Sequence, residues 1–242
     1  MKFVLILLLS IFFFAGRSTV VDASTPATKT EDRPSEKQFH AVSVSTGIEL
    51  WLTQGNEQKI TAEGRPEDLK DLRTEIRGGQ LRIYEERHSG WLSRKSVKSS
   101  RIRVYVSFNK LDEIQASAGS TVLSNTAFQL DSVMITVSSG ANLKLDQFRA
   151  QVVAIGVSSG ANAMLSGTVD HLKATTSSGS NLRCGDLKAK VVEVHAGSGS
   201  DAVVQALDKL DAYAASGSGI KYYGNPKQRN TSSSSGGNIH AR

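Results

Sequence analysis

The sequence predicts an all-β fold: a single-stranded, right-handed parallel β-helix, a solenoid of about 20 residues per coil. Three observations lead there. First, a glycine-centred corner recurs at Thr46-Gly47-Ile48, Ala118-Gly119-Ser120, Ser139-Gly140-Ala141, Ser159-Gly160-Ala161, Ser178-Gly179-Ser180, Ser198-Gly199-Ser200 and Ser216-Gly217-Ser218, with a weaker copy at Ser235-Gly236-Gly237. Second, from Gly119 onward successive corner glycines are 21, 20, 19, 20, 18 and 19 residues apart. Third, apolar residues hold fixed offsets from the corner at period two, the mark of strands with one buried face.

Residues 1–23 read as a secretory signal. Lys2 precedes an apolar stretch from Phe3 to Ala15, and Val21-Asp22-Ala23 offers a cleavage site before Ser24. The stretch falls short of the ~20 residues of a membrane span, so the mature chain is expected to have no transmembrane span. Cleavage removes Lys2, Arg17 and Asp22 and lowers the formal net charge from +6 to +5. That mild excess suits anionic glycans or lipid headgroups, and suits plain solubility equally. Residues 24–37, rich in Thr, Ser, Pro and charge, read as a disordered tether.

The solenoid domain is expected over residues 38–224. Its first coil surrounds Gly47, with Val42 and Val44 before the corner and Leu50 and Leu52 after it. Gly119 follows only 72 residues later, so a variant section intervenes, read as a cap over the open end of the solenoid. Within it, Leu81-Arg82-Ile83-Tyr84 and Ile102-Arg103-Val104-Tyr105-Val106 alternate as strands, and residues 67–72 suit one or two helical turns. The basic stretch 85–103 between those strands reads as an inserted hairpin.

The regular coils follow. Seven residues before the corner glycine stand Val133, Val153, Leu172, Val192 and Leu210; three after it stand Val122, Leu143, Ala163, Leu182, Ala202 and Ile220. Glycine suits a sharp corner because φ > 0 penalises a Cβ. Two residues beyond it Asn142, Asn162 and Asn181 form a column, expected to tolerate the left-handed region and to bond from coil to coil. Gly47, Gly119, Gly140, Gly160, Gly179, Gly199 and Gly217 with these asparagines are therefore read as structural; the functional alternative is a Ser/Asn stripe that contacts a sugar or ion. Residues 225–242 read as a polar Ser/Gly-rich tail without the amphipathic strands of an outer-membrane barrel.

No constellation for catalysis emerges. Asp146, Asp170, Asp186, Glu193, Asp201, Asp208 and Asp211 fall at different offsets from the corner and mostly alternate with Lys or Arg, unlike a paired acid and base or a calcium ladder. His40, His88, His171, His195 and His240 show no metal spacing. The single cysteine, Cys184, holds an inward column position and forms no intramolecular disulfide. The corners lack the Lys-Ser/Thr of a phosphate loop. No cofactor, metal site or nucleic-acid partner is expected.

The run Phe39-His40-Ala41-Val42-Ser43-Val44-Ser45-Thr46-Gly47-Ile48-Glu49-Leu50-Trp51-Leu52-Thr53-Gln54-Gly55, with the later Ser-Ser-Gly-Ala/Ser-Asn corners, resembles the bacterial family described as "putative auto-transporter adhesin, head GIN domain". Glu49 stands where that family commonly has Asn. The resemblance covers about residues 38–224 and implies an exported, β-helical, non-enzymatic protein of Gram-negative envelopes, in the periplasm, on the outer surface or secreted. It transfers no catalytic residue.

The expected function is thus a non-catalytic envelope or cell-surface binding or structural module. The runner-up is a carbohydrate-active β-helix enzyme, a polysaccharide lyase or hydrolase. Candidate ligand contacts are Arg87, Trp91, Arg94, Lys95 and Lys98, where cations around an indole suit an anionic glycan or another envelope component. Association of copies through a solenoid end or face is also expected.

Overall fold

The computed structural model describes residues 28–86 and 102–242. Their strands join one 17-stranded sheet wound into a parallel β-solenoid. An antiparallel section occupies its N-terminal end. There β1 (Lys29–Asp32) pairs with β4 (Lys59–Gly64), which pairs in turn with β7 (Arg103–Phe108). Strands β5 (Leu72–Arg77) and β6 (Gln80–Glu85) form a hairpin through Gly78 and Gly79, both at positive φ. Between β4 and β5 lies one helical turn, α1 (Pro66–Leu69), whose Leu69 is buried. Proline suits its first turn, where an N–H has no intrahelical partner.

The stacking order is not the chain order. β2 (Ala41–Val44) pairs with β6 on one side and β8 (Glu113–Ala116) on the other, and β3 (Glu49–Gln54) lies between β7 and β9 (Thr121–Ser124). The Gly47 coil is therefore sandwiched between residues 80–108 and residues 113–124. From there the stack follows the sequence through β10 (Phe128–Val137), β11 (Asn142–Val157), β12 (Asn162–Thr176), β13 (Asn181–Ala196), β14 (Asp201–Ala214) and β15 (Gly219–Tyr223).

Each regular coil has three flat stretches. In β11 and β13 the inward–outward alternation slips twice between glycine corners. In β11 it slips at Asp146-Gln147, with Gln147 at φ 54°, and again at Gln151-Val152, where two consecutive side chains face out. The interior is filled by the predicted columns, with Val133, Val153, Leu172, Val192 and Leu210 all at most 2% exposed. Phe108, Phe128 and Phe148 stack edge to face, with centroids 5.1 and 6.5 Å apart, a favoured arrangement of ring quadrupoles.

Three boundaries differ from the sequence reading. The stretch expected as a tether contains β1, which hydrogen-bonds along β4; a strand of four polar residues gives no alternation to detect. The stretch expected as a tail forms a further coil, β16 (Gln228–Ser233) and β17 (Asn238–Ala241), with its own corner at Ser235 and Gly236. Every β16 side chain is exposed, so its place is set by the backbone ladder to β14, and only Ile239 packs on the core. Finally, β6 and β7 are not partners of each other. They pair with β2 and β3 respectively, and residues 87–101, expected as the body of an inserted hairpin, lie outside the described residues.

Candidate functional site

The corners form a ridge along the solenoid. In each, the glycine and the residue before it are both left-handed: Ser139 and Gly140 at 52° and 70°, Ser159 and Gly160 at 54° and 68°, Ser178 and Gly179 at 55° and 66°. Ala141 N–H donates to Ser138 C=O at 3.1 Å, closing a four-residue turn with φ > 0 at both central positions. The left-handed partner of glycine is thus Ser, Ala or Thr; the asparagines, expected in that role, instead open the next strand.

The glycine N–H groups along the ridge are engaged from coil to coil. Gly47, Gly119, Gly140, Gly160, Gly179, Gly199 and Gly217 each donate their N–H to the carbonyl of the left-handed residue one coil on, at 3.0–3.1 Å. These donors cannot also cradle an anion. Inside the corner, Ser120, Ser180 and Ser218 are buried and donate to Val44, Val157 and Ala196 carbonyls at 3.2, 2.7 and 2.8 Å. Sequence reasoning passed over these serines. The signal was present, since from Gly119 onward the same position holds only Ser, Ala or Gly, with Ile48 the exception in the first corner.

At the N-terminal end of the ridge, the residues that flank the basic insertion bond to the Gly47 corner. Ser45 N–H donates to Ile83 C=O at 3.1 Å, Glu85 N–H to Thr46 Oγ1 at 2.9 Å, and Glu49 N–H to Ile102 C=O at 3.0 Å. The chain therefore leaves at Glu86 and returns at Ile102 on either side of the Gly47 corner. The candidate contacts Arg87, Trp91, Arg94, Lys95 and Lys98 lie outside the described residues.

On the stretch that follows the corner, two outward columns run side by side. The first reads Glu49, Thr121, Asn142, Asn162, Asn181 and Asp201; the second reads Trp51, Leu123, Lys144, Met164, Arg183, Val203 and Lys221. Asn162 Nδ2 donates to Asn142 Oδ1 at 3.1 Å, the coil-to-coil bond expected of the asparagines. A groove of about 250 Å³ lies between the columns from Thr121 to Arg183. Trp51 and Tyr105 are cross-strand neighbours at its N-terminal end. Trp51 Nε1 donates to Glu49 at 2.6 Å and Tyr105 to Glu63 at 2.9 Å. Burial and then the Glu63 carboxylate hold the Tyr105 phenol above its ordinary pKa.

A second, more open trough of about 390 Å³ crosses the stretch containing Gln129, Arg149, Thr168 and Lys188. Beside it Lys190 pairs with Asp170 at 2.7 Å, which holds the carboxyl below and the ammonium above their ordinary values. The acids weighed for catalysis are largely paired with neighbouring cations, Asp146 with Lys144, Glu193 with Lys173 and Asp211 with Lys209. His195 lies 6.0 Å from the Tyr213 ring. Among the described residues no group of three or more His, Cys, Asp or Glu side chains is placed to hold a metal ion. Cys184 is fully buried, and burial pushes its thiol up to about 12, unlike a nucleophile.

Comparison with known proteins bears on this arrangement. Crystal structures of two proteins described as putative adhesins superpose on it. One, from Bacteroides fragilis, has a TM-score of 0.78 at 17% identity, covering 90% of this chain and 99% of that one. The other, from Parabacteroides distasonis, has a TM-score of 0.70 at 13% identity, covering 90% and 98%. A third, described as a putative lipid binding protein from Parabacteroides distasonis, gives 0.68 at 16% identity over 90% and 98%. These identities establish a shared fold alone. Comparison with curated proteins finds no match. The family model described as "Putative auto-transporter adhesin, head GIN domain" matches residues 38–226, and the chain belongs to that family.

Proposed function

We propose that this chain is a non-catalytic binding module of the cell envelope or cell surface, exported by its N-terminal signal, with the 85–103 insertion as its contact element. The observation that carries the reading is the insertion's place. Eight corners keep one tight turn, and the segment that joins β6 to β7, the strands stacked on the Gly47 coil, is basic and carries a Trp. Its Arg87, Trp91, Arg94, Lys95 and Lys98 have no counterpart in the short Ser/Gly corners of the other coils. Cations and an indole suit an anionic glycan or another envelope component, the cations pairing with acidic groups and the ring stacking on a sugar face.

Nothing favours the carbohydrate-active enzyme. The acids of the coils serve as ion-pair partners, and the solved relatives are described as adhesins or a lipid-binding protein. Among the described residues no helix is long and apolar enough to cross a membrane. The test is a glycan array probed with the wild-type chain and with the triple variant Trp91→Ala, Arg94→Ala, Lys95→Ala. Binding of acidic glycans that falls at least tenfold in the variant supports the insertion as the contact. Equal binding by both proteins refutes it. Protease shaving of intact cells, read by fragments of this chain released to the medium, checks surface exposure.

A further inference from the structure

We propose that the groove between the asparagine column and the Lys144–Met164–Arg183 column binds a linear acidic polysaccharide laid along the solenoid axis, with one acidic group per disaccharide. The proposal rests on the binding-module reading and names a ligand class and a second contact surface for it, on described residues separate from the insertion.

The spacing of charge carries the argument. In the second column cation and apolar side chain alternate coil by coil: Lys144, Met164, Arg183, Val203, Lys221. Adjacent coils are separated by the inter-strand distance, so successive cations stand about 9.6 Å apart. A polymer with a charge on every sugar would set half its charges against Met164 and Val203. A neutral polymer would leave the cations without a partner. A chain that alternates an acidic with a neutral sugar places each acidic group at a cation and each uncharged ring at the intervening apolar side chain. Met164 is 37% exposed and is available for that contact.

The asparagine column supplies the polar side of the groove. Carboxamides stand on three successive coils, Asn142, Asn162 and Asn181, between Thr121 and Asp201, about one inter-strand step apart, close to the advance of one sugar in an extended chain. Asn162 Nδ2 is used within the column, but no hydrogen bond among the described residues occupies Asn142 Nδ2 or the Asn181 carboxamide. Arg183 forms no ion pair among the described residues. Lys144 pairs only with the exposed Asp146, at 3.0 Å, a surface contact for which a ligand carboxylate competes. Arg183 offers a planar fork matched to a carboxylate or sulfate.

The test uses the full mature chain in four forms: wild type, Lys144→Gln with Arg183→Gln, Met164→Glu, and the Trp91/Arg94/Lys95 triple-alanine variant. Each is titrated with hyaluronan, which carries one carboxylate per disaccharide, with carboxyl-reduced hyaluronan, and with phosphatidylglycerol vesicles. The groove side chains are exposed, and matched thermal unfolding of the variants confirms that they fold. Hyaluronan is expected to bind wild type and to weaken about tenfold in each groove variant, through lost charge-assisted hydrogen bonds in the Lys144/Arg183 variant and through like-charge repulsion in Met164→Glu. The insertion variant is expected to retain groove binding. Carboxyl-reduced hyaluronan is expected to bind about tenfold more weakly than the native polymer.

Four results would overturn the proposal: no hyaluronan binding by wild type, equal binding of the native and reduced polymers, unchanged affinity in both groove variants, or vesicle binding that alone depends on Lys144 and Arg183. Acidic-glycan binding lost only in the insertion variant would overturn the groove and leave the insertion reading standing. Groove-dependent binding with an unaffected insertion variant does the reverse.

Discussion

Replacing Gly160 and Gly167 by alanine separates two uses of glycine seven residues apart. At the corner, Gly160 has φ +68° and a Cβ there would meet nothing within 4 Å. Its cost is conformational, about 1–2 kcal/mol for a left-handed L-residue, and is partly offset by about 0.4–1 kcal/mol from a stiffer unfolded chain. Ser159 already sits left-handed beside it at φ 54°. A net loss of about 1 kcal/mol is expected. Gly167 has φ +134°, and a Cβ would lie 2.0 Å from Phe148 O and 2.7 Å from Phe148 N. Those are backbone atoms of the stacked coil and cannot swing aside. Strain of about 1–3 kcal/mol in a glycine-only region adds to local loss of the ladder between Phe148 and Gly167, at about 1 kcal/mol per hydrogen bond. A loss of about 3 kcal/mol or more follows. Urea unfolding followed by circular dichroism measures both. Because coils contact only their neighbours, Gly167→Ala should also broaden the transition as the stack parts there. Equal destabilisation by the two substitutions would refute the close-approach argument.

Two further expectations concern the interior. Phe128→Ala removes the middle ring of the Phe108–Phe128–Phe148 stack, buried to 1%, and should cost about 3–5 kcal/mol; a loss below about 1 kcal/mol in the same urea assay would show that the rings do not hold the coils together. Cys184 has a folded value of about 12 against an ordinary 9.0, so the unfolded chain releases the proton first. Its contribution is fully present below about pH 9 and is lost as pH rises towards 12, at about 1.4 kcal/mol per pH unit. Stability against pH should therefore fall more steeply above pH 9 in the wild type than in Cys184→Ala, and equal slopes would count against a buried thiol.

The regular coils were legible because their information is local and repeated. Val153 is buried for the same reason as Val133 and Val192, and a period of about 20 residues sets all three in one column. Cys184 followed from its column in the same way. The N-terminal section was legible as strands but not as a topology. Alternation shows that Leu81 and Ile83 face inward; it carries nothing about whether β6 meets β7 or β2. That choice rests on contacts some 40 residues apart in sequence, Val42 to Leu81 among them. The exposed strands β1 and β16 were hidden for a different reason. Their residues add nothing to the apolar core, and they are held by their backbones and by polar side-chain contacts such as Thr61 to Asp32 and Asn230 to Asp211. Of the candidate site, the insertion's composition was visible, and the pairing of its flanking strands with β2 and β3 was not. The asparagine column was visible, but its neighbouring column of alternating cations required the register between coils.

That register also decides where a ligand can be met. The corner glycine N–H groups are consumed by the ladder from Gly47 to Gly217, and the inward columns are closed by packing. Recognition is left to outward side chains, whose identity the fold does not dictate. On the ridge they are mostly serine and glycine, too short to reach far. Beside it, the column from Lys221 through Arg183, Met164 and Lys144 leads to Leu123, Trp51 and Tyr105. Tyr105 lies on β7, two residues after Arg103, with which the chain re-enters the sheet from the insertion. A polymer following the groove towards the cap therefore arrives at the Trp51–Tyr105 pair, an aromatic end to a track that is otherwise polar and aliphatic.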